Sequence, residues 1–265
     1  MIILLPMGGK GERFAKAGYK INKASLPTTS RKQNKKLPMV LCALDDIPYV
    51  NNKETKIICV DRDFHETDGT ESLIKKYYPN TVFIHDHVLL DQAYGCFLAR
   101  EFLQSDEELF IAACDSGMDI DLKSFEKAKK ENDVLMISHS NDDNIAKNPY
   151  AHSWAKLKEN SNLLESLSLK TPVSQNPMQD HATTGMFWFK RASDFLTNLE
   201  EMIWNKDTLD GKYYVDKVLN YCIKSNLKVS YFDVNFFCWG TPDDYENYEK
   251  TLAYWKKFVQ LEEAI

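Results

Sequence analysis

The sequence predicts an α/β fold: a Rossmann-like, mostly parallel mixed sheet with helices on both faces, plus a small antiparallel subregion in the second half. Three observations carry this. Short apolar runs of strand length recur at Ile2 to Leu5, Lys56 to Val60, Thr81 to Ile84, Leu109 to Ala113 and Val134 to Ile137. Stretches of helical spacing separate them, and such alternation calls for parallel strands joined by crossover helices. A glycine-rich loop follows the first run and Asp115 follows the fourth, so both fall at strand carboxyl ends, where open α/β sheets bind ligands.

Taken in order, the first run feeds Pro6-Met7-Gly8-Gly9-Lys10-Gly11-Glu12-Arg13-Phe14. Glycines let backbone N–H groups approach a ligand, and Lys10, Arg13 and Lys16 add positive charge beside that cradle. The pattern fits a nucleotide-phosphate site, although the glycines alone fit an ordinary surface turn equally well. It is not a Walker loop, because no Gly-Lys-Ser/Thr follows. Ala17 to Lys36 is rich in Lys, Asn, Ser and Thr and predicts a long loop over this site. Ala43 onward is predicted helical, as are Thr70 to Tyr78, closed by Pro79, and Gln92 to Leu103, with Ala93, Phe97, Leu98 and Phe102 on one face. Phe125 to Glu131 is a further helix.

The texture changes after residue 138. Residues 139 to 182 are polar, and the short runs Ala155 to Leu157 and Leu164 to Leu169 predict antiparallel ribbons. A strand at Thr184 to Phe189 precedes helices at Ala192 to Trp204 and Val215 to Lys224. Lys228 to Phe232 is a strand, and a last helix runs from Pro242 to about Leu261. No internal repeat marks a boundary, so the chain reads as one domain, 1–265, with halves at about 1–138 and 139–265.

Composition excludes several classes. With 43% hydrophobic residues over 265 positions the chain can bury a sizeable core, and its net charge of −6 offers no basic face for nucleic acid or an anionic membrane. The six cysteines form no C-x-x-C pair. They read as buried, reduced thiols of a cytoplasmic protein. The N-terminal apolar run is too short for a signal peptide, and no run is long enough to span a bilayer.

Asp115 is the strongest candidate for chemistry, a carboxylate closing an apolar strand. Magnesium is held by such oxygens together with phosphates, whereas the alternative is a turn or capping Asp. Asp119 and Asp121 read as caps of the next helix, though Asp119-Ile120-Asp121 also suits a metal-dependent glycosyltransferase. Asp91 reads as a helix N-cap. The histidines form no i, i+4 metal pair; His85 and His87 alternate at a strand end and read as hydrogen-bonded structural residues.

Met7-Gly8-Gly9-Lys10-Gly11-Glu12-Arg13-Phe14 resembles the signature loop of the sugar-phosphate nucleotidyltransferases, the nucleoside-diphosphate-sugar pyrophosphorylases. Later segments resemble that family in the same order. Gly18 to Ser25 is similar to its Lys-Pro segment, with Lys23 on the lysine and Ala24 in place of proline. Leu37-Pro38-Met39-Val40-Leu41 is similar to its Lys-Pro-Met-Ile helix start, and Cys114-Asp115 to its metal-binding strand end. Asp91-Gln92-Ala93-Tyr94-Gly95 is similar to its Gly-Gln-Ala segment. Leu169-Lys170 stands where the family carries Glu-Lys. Ala182 to Phe189, Gly211 to Val215 and Trp239-Gly240-Thr241-Pro242-Asp243-Asp244 resemble its remaining segments.

The resemblance implies that Met7, Gly8, Gly9 and Gly11 bind the triphosphate with Arg13, and that Gln92 and Gly95 contact the nucleoside. It implies that Lys23 screens charge as pyrophosphate leaves, that Lys170 and Gly185 receive the acceptor, and that Asp115 holds Mg2+. Cys238 and Trp239 stand where many members place a second metal-binding Asp; Asp233 is the nearest carboxylate upstream. The implied activity is transfer from a nucleoside triphosphate to a sugar 1-phosphate or similar phosphorylated acceptor, for surface polysaccharide synthesis, by a protein that could self-associate. Leu169 in place of Glu favours a cytidylyltransferase on a non-sugar phosphate. A glycosyltransferase, or a catalytically silent nucleotide-binding homologue, completes the alternatives.

Overall fold

A computed structural model of the chain describes residues 1–88 and 91–262. Strand β1 (Ile2–Pro6) lies at the centre and is followed by helix α1 (Glu12–Lys16). The expected long loop from Ala17 to Lys36 is corrected here: it contains a 3-10 turn at Lys23–Ser25 and a hairpin of β2 (Pro27–Thr29) and β3 (Lys36–Pro38). The partners that order it lie far along the chain. Glu249 accepts from Thr29 N and Thr29 Oγ1, both at 2.7 Å, and Tyr248 Oη donates to Thr29 O at 2.6 Å. Helix α2 (Met39–Asp46) starts earlier than the Ala43 expected, directly after Pro38.

Next come β4 (Lys56–Asp61), α3 (Asp63–Thr67), α4 (Thr70–Tyr77) and β5 (Val82–His85). Helix α5 (Gln92–Leu98) ends sooner than predicted and passes into a 3-10 turn at Arg100–Phe102. Strand β6 (Leu109–Ile111) leads through Asp115 into β7 (Ser116–Asp119), which the sequence did not foretell. Helix α6 (Leu122–Glu131) is capped by Asp121, whose Oδ1 accepts from Lys123 N and Ser124 N. Asp119 is not a cap; it pairs with Arg31 at 3.1 Å. Then follow β8 (Val134–His139), α7 (Asp143–Lys147), the ribbon β9 (Ser153–Leu157) and β10 (Leu164–Leu169), and β11 (Ala182–Phe189). Helices α8 (Ala192–Trp204) and α9 (Val215–Lys224), strands β12 (Val229–Asp233) and β13 (Asn235–Cys238), and helix α10 (Pro242–Glu262) complete the order.

The main path of the sheet runs β10-β9-β11-β6-β1-β4-β5, with β8 also on β11 and β12 on β8. Strands β5, β4, β1 and β6 are mutually parallel, and β12 is parallel to β8. Strand β11 is inserted antiparallel between β6 and β8, which makes the sheet mixed. Period-2 alternation divides the core between the two faces. Ile3, Leu5, Ile57 and Phe110 pack with Leu41 of α2, Ile74 of α4 and Phe125 of α6. Ile2, Leu4, Ile58 and Ile111 pack with Cys96 of α5, Leu199 of α8 and Leu219 of α9. Strand β1 is apolar on both faces because both are covered; Ile2 to Leu5 are each at most 1% exposed. None of the six cysteines is bridged, and no helix among the described residues is long and apolar enough to cross a membrane.

Candidate active site

At the end of β1 the chain turns away, and Met7 N donates to Val60 O at 2.7 Å, fixing the glycine loop to the end of β4. Gly11 adopts φ 63°, the left-handed region that suits glycine, immediately before α1. A Cβ there would lie 3.2 Å from Lys23 Cβ, so Gly11 also lets the loop lie against the Lys23 turn. Asn22 caps that turn, its Oδ1 accepting from Ala24 N.

The turn aims Lys23 at Asp115. Nζ donates to Oδ2 at 2.7 Å, with the side chains 18% and 29% exposed. Burial pushes the Asp115 carboxyl up, but Lys23, helped by Arg13, outweighs it and holds the group below the usual carboxylate range. Burial likewise works against the Lys23 ammonium, and Asp115 outweighs it, raising that group above its ordinary value. Both are therefore ionised at neutral pH. Asp115 is positioned by its backbone, whose carbonyl accepts from Trp239 N at 2.9 Å. Gly240 approaches so closely that a Cβ on it would lie 3.3 Å from Asp115 Oδ2.

Two adjoining cavities meet at this ion pair. One, of 240 Å³, has Met7, Gly8 and Gly9 on one side and Gln92 and Gly95 of α5 on the other, with Lys23 and Asp115 between them. The second, of 660 Å³, takes in Arg13, Ser116, Gly185, Tyr214, Asp216 and the start of α10. Gln92 and Asp115 line both. The glycine loop and the acid after the fourth predicted strand thus face one continuous cleft. Asp91 stands at the N-cap position of α5, yet its carboxylate accepts instead from Tyr213 N at 3.1 Å, tying the two halves together across the cleft.

Three other expected site residues lie apart from the lining: Gly11, which packs against the Lys23 turn, Lys170 and Asp233. Lys170 donates through Nζ to Tyr214 Oη at 2.7 Å and reaches the larger cavity only through that hydroxyl. Asp233 lines neither cavity, and its carboxylate is engaged by Ser138 Oγ at 2.6 Å and His181 Nδ1 at 2.9 Å. Gly185, with φ 80°, lies on the larger cavity at the irregularity in β11 between Thr183 and Met186.

Several residues of the cleft carry no role in the sequence expectations. Asp216 faces the larger cavity and accepts from Ser153 Oγ at 2.6 Å, with burial raising its carboxyl above the ordinary value. It lies just after the Gly211 to Val215 segment, which was the available signal. Asp244 accepts from Thr241 Oγ1 at 2.6 Å and lies 3.6 Å from Cys238 Sγ. Ser116 Oγ is buried with no hydrogen-bond partner, at the wall beside Asp115. These donors fit a magnesium ion: a carboxylate and an unengaged hydroxyl in adjacent positions, with room for phosphate oxygens.

No protein-family model and no curated protein sequence matches the chain. Its fold matches solved structures along almost its whole length. A nucleoside-diphosphate-sugar pyrophosphorylase from Vibrio cholerae RC9 superposes with a TM-score of 0.75 at 19% identity, covering 93% of this chain and 98% of that one. A putative glucose-1-phosphate thymidylyltransferase from Bacillus anthracis gives 0.72 at 15%, covering 95% of each chain. The inositol-1-phosphate CTP transferase from T. maritima gives 0.66 at 16%, covering 94% and 93%. At these identities the likeness establishes the shared fold.

Proposed function

We propose that the chain is a nucleotidyltransferase that joins a nucleoside triphosphate to a phosphorylated small molecule, a sugar 1-phosphate in the first instance, with release of pyrophosphate. The observation that carries this is the meeting of two cavities at Asp115 and Gln92, one bounded by the glycine loop and the other open for an acceptor. The likeness in fold to a nucleoside-diphosphate-sugar pyrophosphorylase supports it. The product, a nucleoside-diphosphate sugar, is an activated unit of the kind a surface polysaccharide needs.

An acceptor phosphate oxygen attacks the α-phosphorus and the bond to the β-phosphate oxygen breaks. The attacking oxygen is already ionised, so the protein's task is alignment and charge neutralisation. The backbone of Met7 to Gly9 cradles the triphosphate, and Gln92 and Gly95 border the nucleoside. Arg13 lies on the acceptor side and balances charge there. Lys23, released from Asp115 by the incoming phosphates, neutralises the departing pyrophosphate. Mg2+ held by Asp115, with Ser116 beside it, would supply charge neutralisation between the phosphates.

A second acceptor class is favoured by one position. Leu169 stands where a glutamate for sugar hydroxyls is expected, and the fold is also similar to an inositol-1-phosphate CTP transferase. Pyrophosphate release measured over the common triphosphates and a panel of sugar and non-sugar phosphates, with and without Mg2+, tests both. Release that requires metal and acceptor together supports the proposal. Hydrolysis independent of any acceptor, or transfer from a ready-made nucleotide sugar without pyrophosphate, overturns it.

A further inference from the structure

A second group of potential ligands lies outside the cleft, where the carboxyl ends of β4 and β5 meet α4. Asp61, Glu71 and His85 each present one atom there, all within 4.8 Å of one another. Asp61 is 0% exposed and Glu71 7%. Both oxygens of Asp61, Oε1 of Glu71 and Nδ1 of His85 are buried without a hydrogen-bond partner. Among the described residues, the only groups in ion-pair reach of the two carboxylates that could carry positive charge are imidazoles. His85 Nδ1 lies 3.4 Å from Asp61 Oδ1, its Nε2 lies 3.6 Å from Glu71 Oε1, and His65 Nδ1 lies 4.0 Å from Asp61 Oδ2.

Two buried carboxylates with no lysine or arginine in ion-pair reach are costly as a pair of anions; burial and Glu71 push the Asp61 carboxyl up toward its protonated form, and a bound cation is the alternative compensation. We propose that Asp61, Glu71 and His85 form a binding site for a divalent transition-metal ion, separate from the magnesium position at Asp115. Two carboxylate oxygens and one imidazole nitrogen are hard and borderline donors that suit Zn2+ or Mn2+, and the nitrogen disfavours Mg2+. The spacing is that of ligands converging on one ion, since metal–ligand distances near ~2.1 Å place ligand atoms up to ~4.2 Å apart and need only a small inward movement. Entry is from the side of Asp63 and His87, both exposed, with Asp63 Oδ1 3.8 Å from His85 Nδ1.

The ion would act on the glycine loop through the backbone. Asp86 N donates to Asp61 O at 2.8 Å, and the neighbouring Val60 O holds Met7 N at 2.7 Å. The side chain of Arg62, next in sequence, underlies Gly8, whose Cβ position is 3.7 Å from Arg62 Cδ. An ion joining β4, α4 and β5 therefore stiffens the shelf on which the nucleotide loop rests, without touching either cavity.

The test is metal titration of chelator-stripped protein by calorimetry, with metal analysis after gel filtration. Wild-type chain is expected to retain about one Zn2+ or Mn2+ that excess Mg2+ does not displace. Its melting temperature should rise about 5–10 °C at a hundredfold excess of ion over the dissociation constant. Glu71→Gln and His85→Ala should each weaken binding at least ~100-fold, the upper end of what losing even an outer-shell partner costs. Asp115→Asn should bind the ion as wild type does. Failure of stripped wild-type protein to bind either ion overturns the proposal whether or not the variants fold. So does binding that survives both cluster variants, or binding that disappears in Asp115→Asn instead.

Discussion

Replacing Lys23 by Met removes the cation from the ion pair at the junction of the two cavities while keeping most of its apolar stem. At the observed 2.7 Å the attraction is worth ~6 kcal/mol for an effective dielectric constant of ~20. Removing one partner of a buried pair costs ~3–5 kcal/mol, and the partial exposure of both side chains places this pair at the low end, about 3 kcal/mol at pH 7. The pH dependence has a definite sign. Asp115 is depressed in the folded wild type, so its contribution is present above the ordinary carboxylate range and is lost as pH falls through its folded value. Without Lys23, burial, the largest influence on Asp115, is opposed only by Arg13 and a backbone hydrogen bond, so the acid form is better tolerated than in the wild type. The stability gap between wild type and Lys23→Met should therefore be widest at neutral pH and shrink toward pH 3. Urea unfolding of both proteins over pH 3–7 measures it. A gap below about 0.5 kcal/mol at pH 7, or one that does not change with pH, would refute the reading that Lys23 offsets the burial of the Asp115 carboxylate.

Other consequences are sharper for activity. Arg13→Ala and Asp115→Asn should each lower turnover by at least ~100-fold in the pyrophosphate assay, the scale for losing one preorganised charge contact; near-normal turnover in Asp115→Asn would remove its proposed role. Lys170→Ala should raise the acceptor KM about tenfold and leave the triphosphate KM unchanged, since Lys170 acts through Tyr214 Oη. Arg31→Ala should cost about 3 kcal/mol in denaturant titrations, because Asp46, 5% exposed at its side chain, loses the guanidinium 2.7 Å away. Gly117→Ala should cost about 1–3 kcal/mol by the same measurement, since its Cβ would fall 2.5 Å from Asp46 Oδ2 and 2.9 Å from the Trp239 ring.

The chain's own order determined a good deal. Apolar runs covered on both faces can only be interior strands, so β1, β4, β6 and β8 were legible, as were α8 and α9 with the bounds the structure gives them. Glycines after β1 and an acid after β6 must lie near one another once those strands are parallel neighbours, and they do line one cavity. What depended on distant partners stayed hidden. The hairpin of β2 and β3 is ordered by Glu249 and Tyr248 of α10, more than two hundred positions away, so its own polar composition looked like loop. Strands β7 and β13 are short and exist by pairing with each other. The pairing of Lys23 with Asp115, the engagement of Asp233 by His181, and the cluster of Asp61, Glu71 and His85 all join side chains from separate elements. Local periodicity reports which face a residue occupies. Only the three-dimensional packing decides which other residue it meets, because charge and ligand geometry act through space and not along the chain.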